Sequence, residues 1–379
     1  MSKDSGFLYK AVEDKTIFWV QKKNEYLVVE NATAVILKDV IKGVSVEKIA
    51  DDLAEKLKIP LDETIAFVVS LEKNLLSSKE VAAAAPIAAS MSAKKPLHYE
   101  FVKFYKVNDF IFKVAFYSEY ELYLVHPKFA HLEVHECSNV SFTFSVFTRN
   151  SFIFFYVDDL FIGAWHKREV HFFQGKFSME LIQRIHKKEE NKWLGVFHAS
   201  AVSNGEKAVL FLGDSGNGKS TSLALLQANG FTCLADDFVP VAAEKSAVYS
   251  FPAAISIKKN SVDTLLPFYP ELADAAEFHF KRLQKIVRYL PPNNTDFLAH
   301  LPCKDLVFIK YEKESDLNVQ KIAKLAAFQQ LVPDAWLSPI VENAKVFLDW
   351  FGGLNCYQIT YSDNTKMIAA VSKIFKGTL

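Results

Sequence analysis

Eight residues limit the fold of this chain more than any others: Gly213-Asp214-Ser215-Gly216-Asn217-Gly218-Lys219-Ser220. They match Gly-x-x-x-x-Gly-Lys-Ser, a pattern that works only between a buried strand and a helix. The flanks supply both. Val209 to Leu212 is a short apolar run that reads as a buried strand. Leu223, Leu225 and Leu226 follow among good helix formers, and Gly230 stops that pattern. Glycines let successive backbone N–H groups curl around an anion without interference from a Cβ. The helix N-terminus adds a partial positive charge. In this pattern residues Gly213 to Thr221 hold a nucleotide, Lys219 neutralises its β/γ oxygens, and Ser220 offers a hydroxyl to Mg²⁺. A glycine-rich turn with no ligand is the reading that the flanks disfavour.

The residues after the loop narrow the chemistry. Phe231 to Val241 contains a short strand that ends in two adjacent carboxylates, Asp236 and Asp237. Neighbours on an extended segment point opposite ways, so only one can aim at a phosphate unless the chain has already turned. One carboxylate of the pair, taken as Asp237, is expected to join Ser220 at Mg²⁺, and the other to accept a proton from a hydroxyl. Upstream, Trp193 to Val202 reads as a strand carrying His198, and Asn204-Gly205 reads as a hairpin turn leading into the loop's strand. Lys258 follows another strand-like segment and reads as a surface lysine in preference to a second phosphate-facing cation.

The order His198, Gly-Asp-Ser-Gly-x-Gly-Lys-Ser, Ala235-Asp236-Asp237 resembles the kinase domain of the HPr kinase/phosphorylase family, itself related to phosphoenolpyruvate carboxykinase. The resemblance is good over residues 193–262 and looser to the C-terminus. It implies ATP-dependent phosphorylation of a hydroxyl, with Lys219, His198 and the aspartate pair as catalytic residues. Two departures stand out. Thr221 replaces the family's acidic residue, and the Pro-Gly-Arg-containing stretch near the C-terminus has no counterpart. The resemblance therefore implies neither HPr as the acceptor nor the reverse phosphorolysis.

The 379 residues allow two or three domains. Lys plus Arg and Asp plus Glu both number 44, so net charge gives no argument for nucleic acid. The four cysteines are widely spaced, which points to a reducing cytoplasm and no structural zinc. No apolar run is long enough to span a membrane. A homo-oligomer is compatible with all of this.

Taken in order, residues 1–78 read as three strands and three helices, with Asn31 and Ser45 as helix caps: a small winged-helix-like α+β domain. That pattern resembles the PqqD-like peptide-recognition domain of ribosomally made peptide pathways. The resemblance implies that a leader peptide adds as a strand along Glu25 to Glu30. Residues 79–97 read as an alanine-rich linker. Residues 98–192 are aromatic-rich and strand-like, with period-two alternation in Val140 to Phe147 and much of Val102 to Leu124. Asp158-Asp159 reads as a hairpin turn there. His126, His131 and His135 read as structural, because their spacing fits neither strand nor helix. Residues 193–379 complete an α/β P-loop kinase core, with Ser338-Pro339 opening a helix that ends at Gly352-Gly353 and a final helix carrying Met367, Val371 and Phe375.

The sequence thus leads to an expected ATP- and Mg²⁺-dependent Ser/Thr or peptide kinase whose substrate is recruited through its leader. A nucleotide-gated peptide-binding module and a small-metabolite kinase are the alternatives.

Overall fold

The computed structural model describes residues 6–76, 94–280 and 285–379. The expected linker lies mostly outside them. The fold is mixed α/β and divides into two compact units. One contains the described residues up to Leu76 together with Ile322–Leu354. The other runs from Lys94 to Lys321 and resumes at Asn355–Leu379. No helix among the described residues is long and apolar enough to cross a membrane.

In the first unit, strands Phe7–Val12, Lys15–Val20 and Glu25–Glu30 form an antiparallel sheet in that order. Ile17, Phe18, Trp19 and Val20 are all buried. A continuous buried run of this kind needs cover on both faces of the sheet. Phe18 and Val20 pack with Ala34, Leu37 and Leu75, from helices Asn31–Ile41 and Leu61–Leu76. Tyr26, on the third strand, packs edge-on against Phe328 and Phe347, 5.8 and 5.2 Å between ring centroids. Those rings come from helices Lys324–Leu331 and Val341–Gly353, assigned by sequence to the catalytic core. Lys10 also pairs with Asp349 at 2.6 Å. The expected boundary therefore misses a C-terminal segment whose apolar side chains are used by the N-terminal sheet.

Two caps differ from expectation. Ser45 accepts from Lys48 N as expected. Asn31 does not cap its helix, because its side-chain oxygen accepts the Thr16 hydroxyl at 2.8 Å. Likewise Ser338 lies ahead of its helix, which starts at Val341, and accepts from the Asn343 side chain instead.

The second unit is built on the strand His300–Tyr311. It pairs in parallel with Ala208–Leu212 on one side and with Asn355–Tyr361 on the other. Strand Ala208–Leu212 also takes Ser200–Ser203 as an antiparallel hairpin partner, and that strand takes Thr232–Asp236. Ala208–Leu212 is fully buried, as its unbroken apolar run requires. Helix Lys219–Ala228 and the final helix Asn364–Lys376 enclose one face of the core, with Leu223, Leu226, Val371 and Phe375 among its members.

A second sheet, residues 101–166, has six strands. Its hairpin Phe152–Val157/Leu160–His166 turns at Asp158 and Asp159, both with positive φ. The region is not all β, however. Tyr117 to Leu124 does not continue the strand pattern: Ser118 and Glu121 form a capping box, and helix Glu119–Phe129 follows. Helix Val170–Ile185 places Phe173 and Phe177 on the sheet, with Phe177 4.9 Å from Phe144. His126 bonds the Tyr105 hydroxyl at 2.9 Å. Burial lowers the His131 pKa to about 4.

Candidate functional site

The loop between strand Ala208–Leu212 and helix Lys219–Ala228 is shaped by two glycines. Gly213 has φ +133, and a Cβ there would lie 2.8 Å from the Ile309 carbonyl oxygen. Gly218 has φ +94 and occupies the N-cap. Both conformations are those that glycine alone adopts freely. The loop is tied to the sheet by Tyr311 N donating to Asn217 O at 3.0 Å. Its helix is held by Ser222 and the Tyr361 hydroxyl, 2.9 Å apart. Lys219 is buried and donates to Gly213 O and, at 3.4 Å, to Asp214 O, so its charge lies within the loop.

Asp236 ends its strand in the core, 3% exposed. Three donors converge on its carboxylate: Ser200 Oγ at 2.6 Å, Ser220 Oγ at 3.0 and 3.2 Å, and Ser256 N at 3.1 Å. Burial and the neighbouring charge of Asp237 outweigh those donors and push its pKa up to about 7. Asp237, expected beside Ser220 at Mg²⁺, is not its hydrogen-bond partner: Ser220 donates to Asp236. The reason is a backbone turn. Asp237 has φ +62, in the left-handed region, so the strand stops at Asp236 and the next side chain is redirected. The strict alternation of an extended strand does not apply to this pair.

His198 also lies at a break. The expected single strand is two, Trp193–Phe197 and Ser200–Ser203, joined by a tight bend in which Ala199 N donates to Phe197 O. His198 is exposed at that bend and is not a core histidine.

These residues surround one cavity of about 210 Å³. Gly216, Gly218, Lys219, Ser220 and Thr221 form its floor, and His198, Asp237, Lys258 and Lys285 stand around it. Lys258, read from sequence as a surface lysine, donates to Ser215 Oγ at 3.1 Å. Burial, then the charges of Lys285 and Lys219, lower its pKa, and Asp237 opposes them. Mutual repulsion among three ammonium groups is relieved by a bound polyanion.

Sequence reasoning missed Ser200, Ser256, Lys128 and Lys285. Ser200 has a local signal, because it faces Asp236 directly in the strand register. Ser256, Lys128 and Lys285 are brought in from distant elements.

Among the described residues no group of three or more His, Cys, Asp or Glu side chains could hold a metal ion. The Ser220 hydroxyl beside the Asp236 carboxylate is a hard-oxygen pair, the donor type Mg²⁺ takes when phosphate and water oxygens complete its shell. No model of a known protein family matches the chain, and no curated protein matches it either.

Proposed function

We propose that this protein is an ATP- and Mg²⁺-dependent kinase, with a P-loop core of the HPr kinase type and a PqqD-like N-terminal unit. It transfers the γ-phosphoryl group to a Ser or Thr hydroxyl of a peptide. The observation that carries this reading is the cavity in which the glycine loop, Lys219, Lys258, Lys285, Asp237 and His198 meet, with Asp236 against Ser220 behind it.

The loop amides, Lys219, Lys258 and Lys285 hold the triphosphate. Asp236 and Ser220 would hold Mg²⁺, which when bound offsets charge on the phosphate oxygens. Asp237 faces the cavity and accepts the proton as the acceptor oxygen bonds to phosphorus. The bond from phosphorus to the β–γ bridging oxygen breaks, and ADP leaves with that electron pair. His198, on the same rim, assists by orienting the acceptor hydroxyl.

In the N-terminal unit the strand Glu25–Glu30 pairs, among the described residues, on one side only, with Lys15–Val20. Its other edge supports the reading that a leader peptide adds there as a strand. Recruitment of this kind raises the effective concentration of the acceptor and lets the catalytic site bind it weakly. The test is phosphoryl transfer from Mg–ATP to a leader-bearing peptide, read as intact mass.

A further inference from the structure

Beside the nucleotide cavity lies a second one of about 260 Å³. Lys128, Gln174, His198, Asp237 and Ser256 line both, so the two meet at the carboxylate and the histidine. The far wall of the second cavity comes from the aromatic-rich region, which the sequence endowed with no chemistry. Helices Glu119–Phe129 and Val170–Ile185 supply it. These helices are fixed to one another and to the core. Gln174 Nε2 donates to Leu124 O at 2.9 Å, and Ala254 N donates to Lys128 O at 2.8 Å. Phe129 and Phe251, 6.0 Å apart edge to face, join Phe177 and Phe238 in an apolar wall.

One residue of this wall is anomalous. Gly175 sits inside helix Val170–Ile185, where glycine costs roughly 0.5–1 kcal/mol relative to alanine. Nothing in the fold requires it. Its φ is not positive, and a Cβ built on it meets no atom within 4 Å. It lines the second cavity at an exposed position.

We infer that the second cavity is the acceptor subsite, bordered by Gly175, and that it takes a hydroxyl-bearing peptide residue together with an apolar neighbouring side chain. The inference rests on the kinase reading and adds to it where the acceptor binds and what flanks its hydroxyl. Phe129, Phe177, Phe238 and Phe251 offer a polyol no hydrogen-bond partner on their side of the cavity, while Lys128, Gln174, Ser178 and Asp236 line the rest of it. An apolar side chain fills the phenylalanine wall while the adjacent hydroxyl reaches Asp237.

The experiment uses the full chain, Mg–ATP and short synthetic peptides that each contain one serine, flanked by leucine in one set and aspartate in the other. Glycerol and free serine complete the panel. Phosphorylated products are read by mass spectrometry, Mg–ATP affinity by calorimetry and folding by thermal unfolding. Wild type is expected to prefer the leucine-flanked set. Gly175→Ala should unfold at the same or a higher temperature. Gly175→Leu, with Ser178→Leu on the same helix in parallel, should raise KM for that set at least about tenfold, with Mg–ATP affinity unchanged. If a folded Gly175→Leu and a folded Ser178→Leu both leave KM unchanged, the acceptor subsite is elsewhere. If wild type binds Mg–ATP and modifies glycerol or serine but no peptide, the assigned occupant is wrong; if it binds Mg–ATP and modifies nothing, the kinase reading fails. If wild type binds no Mg–ATP, the kinase reading itself fails, and the inference with it.

Discussion

The Ser220 hydroxyl lies 3.0 and 3.2 Å from the two carboxylate oxygens of Asp236, while Asp237, the next residue, turns away into the cavity. The two aspartates, adjacent in sequence, thus have different surroundings: Asp236 is buried among three donors and lines only the second cavity, while Asp237 lines both. Separate surroundings assign separate roles.

Asp236→Asn and Asp237→Asn should therefore fail differently. The first removes the carboxylate beside Ser220 and should weaken Mg–nucleotide binding at least tenfold, by the charge-assisted contact of roughly 1.5–3 kcal/mol that it deletes. The second should leave binding nearly unchanged and slow the chemical step by about 10²–10⁴-fold. Calorimetric titration beside single-turnover rates separates them. The reverse pattern would restore the pairing of Ser220 with Asp237.

Asp236 also sets a pH dependence of stability. Its pKa rises from 3.8 to about 7 on folding, so between those values the folded chain holds a proton that the unfolded chain has released. Stability from this group falls as pH rises through that window and levels off above it. Wild type should lose stability from about pH 4 to about pH 7 relative to Asp236→Asn, in thermal unfolding without nucleotide. The same titration should make Mg–nucleotide binding tighten as pH rises through about 7. Parallel pH profiles for the two proteins would contradict the assignment.

Lys258 is held against two like charges, Lys219 and Lys285. Lys258→Met should leave the nucleotide-free protein as stable as wild type or more so. It should also weaken triphosphate binding about tenfold, since one charge-assisted contact is lost. Opposite signs for stability and affinity are the signature of a cation placed for a ligand. A stability loss with unchanged affinity would return Lys258 to an ordinary surface role.

Deleting residues 1–78 is a poor test of the leader site, because it would bare Phe328 and Phe347, which pack on Tyr26. Backbone chemistry offers a better one. If the leader pairs with the edge of Glu25–Glu30, N-methylation along it should abolish binding at every second residue, the period of strand pairing. Fluorescence anisotropy of a labelled leader reads this out. A flat response along the peptide would exclude strand addition.

What the sequence discloses divides along physical lines. The glycine loop is legible because its anion cradle is built from consecutive backbone groups between a buried strand and a helix. Ser45 and the Asp158-Asp159 turn are legible for the same local reason. Ser256 and Lys285 reach the cavity through the pairing of strands Ile255–Lys258 and Lys285–Leu290, which no local pattern announces. The two helices of the aromatic-rich region are obscured because aromatic and apolar side chains fall on more than one face, as exposed Phe172 and buried Phe173 do in the second. Even so, the Ser118-x-x-Glu121 capping box was a readable start signal for the first. Residues Ile322–Leu354 are apolar enough for either unit, and only tertiary packing places them with the N-terminal sheet.

The central claim is phosphoryl transfer, and the most direct measurement is the intact mass of a short peptide encoded beside this protein, co-expressed with wild type or with Lys219→Ala. Wild type should add one phosphoryl group to a serine or threonine. Lys219→Ala, which removes the ammonium lying on Gly213 O and Asp214 O, should fold and lose transfer by at least about 10²-fold. An unmodified peptide with wild type, or equal phosphorylation by a folded Lys219→Ala, would contradict the account.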